Sequence, residues 1–544
     1  MLNKKLKETV FMASRTRNLF TNAISLTLTA LSVRAVSVIF NIYISNKAGS
    51  EAMGLFALLG SVYAFSITLA CASINLGTTR LVADAIGMGD GKGAMRAVRR
   101  ALAVSSLISL GAGVILLSCA GFVSERMLGD VRAATPLRVL ALTLFPVSIC
   151  SCLAGYFTAV RRVKVNATFQ VLAQFIKVFA TICFLTLFPD MNPEEACIAL
   201  VAGGAVAEFI SLAFSYILYL HDRKKLLGIT RSASDTVVIE DQGNKGITRR
   251  ILEITLPVTF SACIRSGLSM FQHILIPKGL AASGSSWSEA LSSYGALHGM
   301  ALPLILFPSA FIGAFAGLLI PEISECCVQK NTDRLSRVSY RALTMSLIFS
   351  IGVSGIIFFY SERLGLLIYN NVETAKYIRI LAPLIPVMYI DGTVDAILKG
   401  SGHQVYSMNV NIIDTLTACL FALFLIPKIG IIGYVISIYA TEMMTTALSL
   451  IKMLSISGIK IRIIHQIVMP IVCIIGATNL SNLIFYIFKI GPDGATGLIF
   501  SILLTVILYV IFSFITGTIG NDEKEFLFAA LLSEKKYGEK FKKA

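Results

Sequence analysis

"TALSVRAVSVIFNIYI" (residues 29–44) is apolar enough to lie in lipid, yet Arg34 stands near its middle. An arginine at the centre of an isolated membrane helix costs at least about 2.5–3.5 kcal/mol on insertion scales. The rest of the chain therefore has to supply a partner or a purpose for it. Similar apolar runs recur along the 544 residues, of which 56% are hydrophobic and only 14% charged, with mean hydropathy +0.78. A soluble chain carries roughly a quarter charged residues. Runs of about 18–25 residues suffice to cross a hydrocarbon core near 30 Å thick. The chain reads as an all-α polytopic membrane protein.

About 14 transmembrane helices are predicted, at 21–44, 55–79, 101–123, 137–160, 166–188, 196–220, 251–276, 295–320, 342–360, 378–398, 408–427, 430–451, 465–488 and 495–518. The net charge of +16 then resolves into a pattern rather than a nucleic-acid patch. Of the 47 Lys and Arg, 33 fall in alternate loops, the two termini and Lys399, and 8 in the opposite loops. The positive-inside rule places both termini in the cytoplasm. The first apolar run is too long for a cleavable signal and should persist as a membrane helix. The eleven cysteines, mostly within spans, lack metal-ligand spacing and read as small buried hydrophobes.

An internal repeat organises the layout. "SVRAVSVIFN" around Arg34 matches "CIRSGLSMFQ" 231 residues on, aligning Arg265 with Arg34 and Gln272 with Asn41. An offset of 241 aligns Arg96 with Arg337 and Arg138 with Arg379, and "AVAEFISLAFSYI" matches "YATEMMTTALSLI", pairing Glu208 with Glu442. Four ordered matches, each pairing a charged residue, make spans 1–6 and 7–12 two copies of one bundle. Both copies have the same orientation, because an even number of spans separates them. The fold expected is two pseudo-symmetric six-helix lobes plus two C-terminal helices. Its boundaries are an N-lobe at 1–220, a cytoplasmic linker at 221–250, a C-lobe at 251–453, spans 13 and 14 within 454–520, and a basic tail at 521–544 that reads as an amphipathic surface helix.

Duplicated bundles bind substrate near the bilayer midplane. Arg34 and Arg265 each lie about thirteen or fourteen residues into their spans, roughly 20 Å from the cytoplasmic end at 1.5 Å per residue. Guanidinium forks match phosphate oxygens bidentately, and Ser37, Asn41, Ser269 and Gln272 share the two helical faces. The alternative is a structural salt bridge to Glu208 or Glu442. Lys177, with Gln174 and Gln170, either extends a polar cavity or bonds between helices. Asp391, Asp395, Asn411 and Asp414 supply oxygens that can hold a coupling Na+ or H+, or form a water-facing patch. Trp287, in the outward loop, is the only tryptophan and a weak sugar-contact candidate. No phosphate-cradling loop, metal-ligand pair or nucleophile constellation marks the chain as an enzyme, and no cofactor is expected.

"GYFTAVRRVKVNATFQVLAQFIKV" (155–178), "GMALPLILFP" (299–308), "GLLIPEISE" (317–325), "LKGSGHQ" (398–404) and "IGIIGYVIS" (429–437) carry a family resemblance. They resemble polysaccharide-transport proteins of the stage V sporulation protein B type. That group lies in the exporter superfamily of lipid II flippases, polysaccharide-repeat-unit flippases and multidrug-and-toxin extruders. The resemblance spans about residues 20–520 and implies two lobes that alternately open a central cavity. It implies basic cavity positions at Arg34, Arg265 and Arg80, while Asn41 stands where relatives often carry a second arginine. The expected function is a flippase of a lipid-linked oligosaccharide or polysaccharide precursor in a bacterial plasma membrane. Its partners would be that lipid-linked sugar, membrane lipids and envelope-synthesis enzymes, with no nucleic acid. The alternative is a cation-coupled exporter of drugs or other amphiphiles.

Overall fold

A computed structural model describes residues 2–71, 73–187, 192–229, 244–459, 462–487 and 494–518. The basic tail 521–544 and linker residues 230–243 lie outside them. Helices account for every regular element among the described residues. Thirteen helical stretches among the described residues are long and apolar enough to cross a membrane. The first, Ser32–Gly87, runs through both of the first two predicted spans, so the stretches correspond to fourteen crossings.

The joint between those two spans is Gly49, whose φ of 79° and ψ of 174° interrupt the helix α1 (Leu2–Cys71). A side chain at that φ is strained, whereas glycine adopts it freely. The chain continues through α2 (Ile74–Gly87), α3 (Gly91–Phe122), α4 (Ala134–Ala159), α5 (Val163–Leu187), α6 (Pro193–Ile229), α7 (Asn244–Ala282) and α8 (Trp287–Tyr294). Then come α9 (Leu302–Leu306), α10 (Ser309–Val328), α11 (Thr332–Phe359), α12 (Ser361–Tyr369), α13 (Val372–Leu381) and α14 (Ile385–Gly400). The last four are α15 (Gln404–Phe424), α16 (Ile426–Ser457), α17 (Met469–Ile487) and α18 (Ala495–Ile515).

The duplication is written into the backbone. Left-handed residues recur 241 positions apart: Gly89 with Lys330, Gly129 with Asn370, and Arg161 with Gly402. Helix caps recur at the same offset. Asp90 accepts from the Gly93 amide at the start of α3, and Asn331 accepts from the Arg334 amide at the start of α11. Asp130 caps the turn before α4, and Asn371 caps α13. Each acceptor satisfies an N–H that the first helical turn leaves unpaired. Lys330, Asn370 and Arg161 show that the turn geometry holds where one copy carries a residue other than glycine.

The helices gather into two compact units: residues 1–300 with 415–437, and residues 301–414 with 438–544. In the first, Ile74, Val82, Val98, Leu153, Tyr156 and Phe157 are buried together, and alanines 94, 97 and 101 let α3 approach its neighbours. Gly295 lies so close to the Ser50 carbonyl that no Cβ fits there, a close approach typical of small residues between membrane helices. In the second, Ile323, Leu343, Ile397, Leu398 and Met453 form the core with alanines 342, 396 and 477. Leu107, Phe179, Phe260 and Ile515 are more than two-thirds exposed, an inside-out apolar surface suited to lipid.

Candidate functional site

Arg34 and Arg265 belong to α1 and α7, helices of the first unit that pack against each other. Thr68 Oγ1, in the part of α1 beyond the Gly49 break and so in the second predicted span, donates to Ser266 Oγ on α7 at 3.3 Å. Both arginine side chains are exposed, although each lies in a stretch long and apolar enough to cross a membrane. Among the described residues Arg265 enters no ion pair, and neither do Glu208 and Glu442. The salt bridge weighed from sequence for Arg265 is therefore not formed.

The other predicted residues divide between occupied and open roles. Asn41 Nδ2 donates to the Gly299 carbonyl at 3.1 Å, so the amide ties α1 to the turn after α8. Ser37 Oγ donates to the Val33 carbonyl one turn back. Arg80 is exposed on α2, and Gln272 is half-buried on α7. Lys177, half-buried on α5, has its Cε 3.9 Å from where a Cβ on Gly204 would stand. Glu208 follows one turn later on α6, and the two charges interact electrostatically. Lys177 thus lies within electrostatic reach of Glu208 without a direct ion pair between them, a neighbour that sequence reading did not identify.

The acids of the second unit are less uniform than their spacing suggests. Asp395 is engaged, accepting from Lys399 Nζ at 2.5 Å and from the Ser407 hydroxyl. Asn411 Nδ2 donates to the Ser407 carbonyl, and Asp414 accepts from Thr445 Oγ1 at 3.0 Å. Asp391 differs: its Oδ1 is buried with no hydrogen-bond partner. Glu442 completes the group, interacting electrostatically with Asp414 and Asp391. Among the described residues no set of three or more His, Cys, Asp or Glu is arranged to hold a metal ion.

Two clusters escaped the sequence reading. Just before α4 and beside the Gly49 break in α1, Arg132 bonds Asp130 through Nε and Nη2 and reaches Glu51 Oε1 at 2.9 Å. The Trp287 indole donates to Asp130 Oδ2 at 3.0 Å, so this tryptophan secures a loop junction. Burial raises the Asp130 carboxyl, but hydrogen bonds from Arg132 and Trp287 outweigh it and hold the carboxyl below its usual range. Deeper in the same unit, His273 and His298 rings lie 4.6 Å apart, with Tyr294 bonded to His273 at 3.0 Å and Tyr434 to His298 at 3.4 Å. The spacing of the five histidines gave no sign of this, because the two come from different helical turns; only the Tyr294–His298 separation of four residues was a local clue.

Comparison with known proteins bears on fold and family. Stage V sporulation protein B of Bacillus subtilis (strain 168) is 25% identical over 496 residues, covering 90% of this chain and 94% of that protein. A structure described as lipid II flippase MurJ in an inward closed conformation superposes with a TM-score of 0.64 at 13% identity, covering 91% of this chain and 99% of that one. An inward-facing multidrug resistance MATE family transporter of the MOP superfamily gives 0.61 at 15% identity, covering 80% and all of its own chain. The fold is thus the one these transporters share, as the resemblance implied. The MatE family matches residues 257–424. Because the match to the Polysaccharide biosynthesis protein family extends over residues 19–327, more than half of the chain and the whole of the helix set that carries Arg34, Arg80, Lys177 and Arg265, the chain belongs to that family.

Proposed function

We propose that the protein moves a lipid-linked oligosaccharide or polysaccharide precursor across a bacterial plasma membrane by alternating access of its two duplicated bundles. The observation that carries this reading is the pair Arg34 and Arg265, both exposed within membrane-length stretches of the same unit. Exposed guanidinium in such a stretch is expensive against lipid and favourable against a phosphorylated headgroup in a wet cavity. In this mechanism the headgroup phosphates bind Arg34 and Arg265, with Arg80, Gln272, Lys177 and Asn41 as polar surroundings. The lipid tail stays in the bilayer. Both termini lie in the cytoplasm, where the basic loops favour them, and envelope-synthesis enzymes deliver or consume the cargo. The protein works as a transporter and needs no resident cofactor.

The test is translocation of a labelled lipid-pyrophosphate-sugar in vesicles holding the full chain. Arg34→Ala with Arg265→Ala is expected to slow it at least tenfold, since each charge-assisted contact contributes about 1.5–3 kcal/mol. An unchanged rate in folded double variant would remove the mechanism.

A second reading is supported by the MATE-like fold and by the Asp391, Asp414 and Glu442 group. Here the carboxylates, with Asp395 and Asn411 alongside, take up H+ or Na+ and couple its gradient to export of an amphiphile. Drug sensitivity on deletion, without any envelope defect, would favour it over the first.

A further inference from the structure

At the ends of α3 and α7 that carry the basic segments 92–100 and 245–250, the first unit contains a cavity of about 700 Å3. Its polar lining is Arg100, Thr248, Arg249 and Glu253; its apolar lining is Leu252, Leu256 and Pro257. The site grows out of how α7 is seated. Ile251 is fully buried in the core and Thr255 is nearly so, which fixes the rotation of the helix. Positions 249, 252, 253 and 256 are then turned away from that core, as a period of 3.6 residues requires.

The charges do not cancel. Arg249 Nε bonds Glu253 Oε1 at 2.8 Å, in a pair whose side chains are 84% and 59% exposed. Such an exposed pair holds its members weakly, and Arg249 can engage another anion. Arg250 faces Asp84 at 3.3 Å, outside the lining. Arg100 has no ion-pair or hydrogen-bond partner among the described residues. Beside these cations Leu256 stands 58% exposed. The candidate membrane stretches begin at Gly91 and Gly246, so the cavity lies within about the first three turns of both, at the end that carries their basic residues.

An inorganic anion would use the arginines and leave the leucines without a role; an uncharged amphiphile would do the reverse. We infer that this cavity binds the phosphate headgroup of an anionic phospholipid, with Arg100 and Arg249 gripping the phosphate and Leu252, Leu256 and Pro257 receiving the start of an acyl chain. Arginine suits phosphate by its planar donors, and basic residues at the bilayer surface attract anionic lipid. The shape of the site makes binding saturable, unlike diffuse attraction to a charged surface.

The experiment uses the purified full chain in neutral detergent, with bound lipid read by native mass spectrometry. The probes are phosphatidylglycerol, phosphatidylcholine with the same chains, and glycerol 1-phosphate. Phosphatidylglycerol is expected to occupy one site in preference to phosphatidylcholine. Arg100→Gln with Arg249→Gln is expected to lower that occupancy about tenfold, while Arg337→Gln, in the aligned basic loop of the second copy, leaves it unchanged. Leu256→Ser should lower it at least threefold. Should the double variant fail to fold, Arg100→Gln alone and Leu256→Ser decide the matter. Unchanged occupancy in these variants, or an equal loss in Arg337→Gln, overturns the site. Displacement of lipid by millimolar glycerol 1-phosphate, with Leu256→Ser silent, overturns the lipid assignment in favour of a soluble phosphate.

Discussion

Glu208 and Glu442 align in the repeat, each in the last helix of its six-span copy, yet they keep opposite company. Glu208 has Lys177 as its electrostatic partner, across from Gly204 one turn earlier on α6. Glu442 has Asp414 and Asp391. One bundle therefore carries a near-neutral pair, while the other gathers acid against acid. Away from bulk water a lone pair of opposite charges is tolerable, whereas like charges call for a proton, a cation or water. The aligned glutamates thus keep one position in the repeat with different charged neighbours.

Removing the first glutamate should produce the largest effect. Glu208→Gln leaves Lys177 without its counter-charge and is expected to destabilise the folded protein by about 2–3 kcal/mol, below the roughly 3–5 kcal/mol of a buried pair in direct contact. A thermal melt in detergent measures it, and Glu208→Gln combined with Lys177→Met should recover most of the loss. Equal melting temperatures for wild type and Glu208→Gln would show that Lys177 does not depend on Glu208.

A fully partnered carboxylate outside the spans supplies the reference. Asp130→Asn, which weakens the bonds to Arg132 and Trp287, is expected to cost about 1.5–2 kcal/mol near neutral pH. Because the folded Asp130 carboxyl lies below its usual 3.8, its contribution is full above that value. It disappears as pH falls through the lower folded value. The gap in melting temperature between wild type and variant should therefore close in acid, and a gap that widened there would reverse the assignment.

The smallest effect on stability is expected at the second glutamate. Glu442→Gln relieves repulsion and should leave the melting temperature unchanged or raise it, by about 1 kcal/mol or less. Transport is the sensitive readout: under cation-coupled export, flux in Glu442→Gln should lose its response to an imposed ion gradient. A clear loss of stability would mean that Glu442 is paired like Glu208, and the contrast between the copies would fall.

Hydropathy and loop charge were sufficient for fourteen crossings and an all-helical fold, because a bilayer imposes length and polarity on any segment that enters it. The repeat was legible for the same kind of reason: charged residues inside apolar helices are rare enough that their order can be matched. Even the backbone agrees, since Gly129 with Asp130 and Asn370 with Asn371 make one turn and cap twice. Partnership was hidden. That Asn41 would bond Gly299, that Lys177 rather than an arginine would answer Glu208, and that His273 would meet His298 all depend on how helices rotate and how closely they pack. Spacing along one helix reports which residues share a face, but the face a neighbour presents is set by small residues such as Gly204 and Gly295 and by every other contact in the bundle. The linear pattern accordingly specified where charge enters the membrane, and packing assigned each charge its companion.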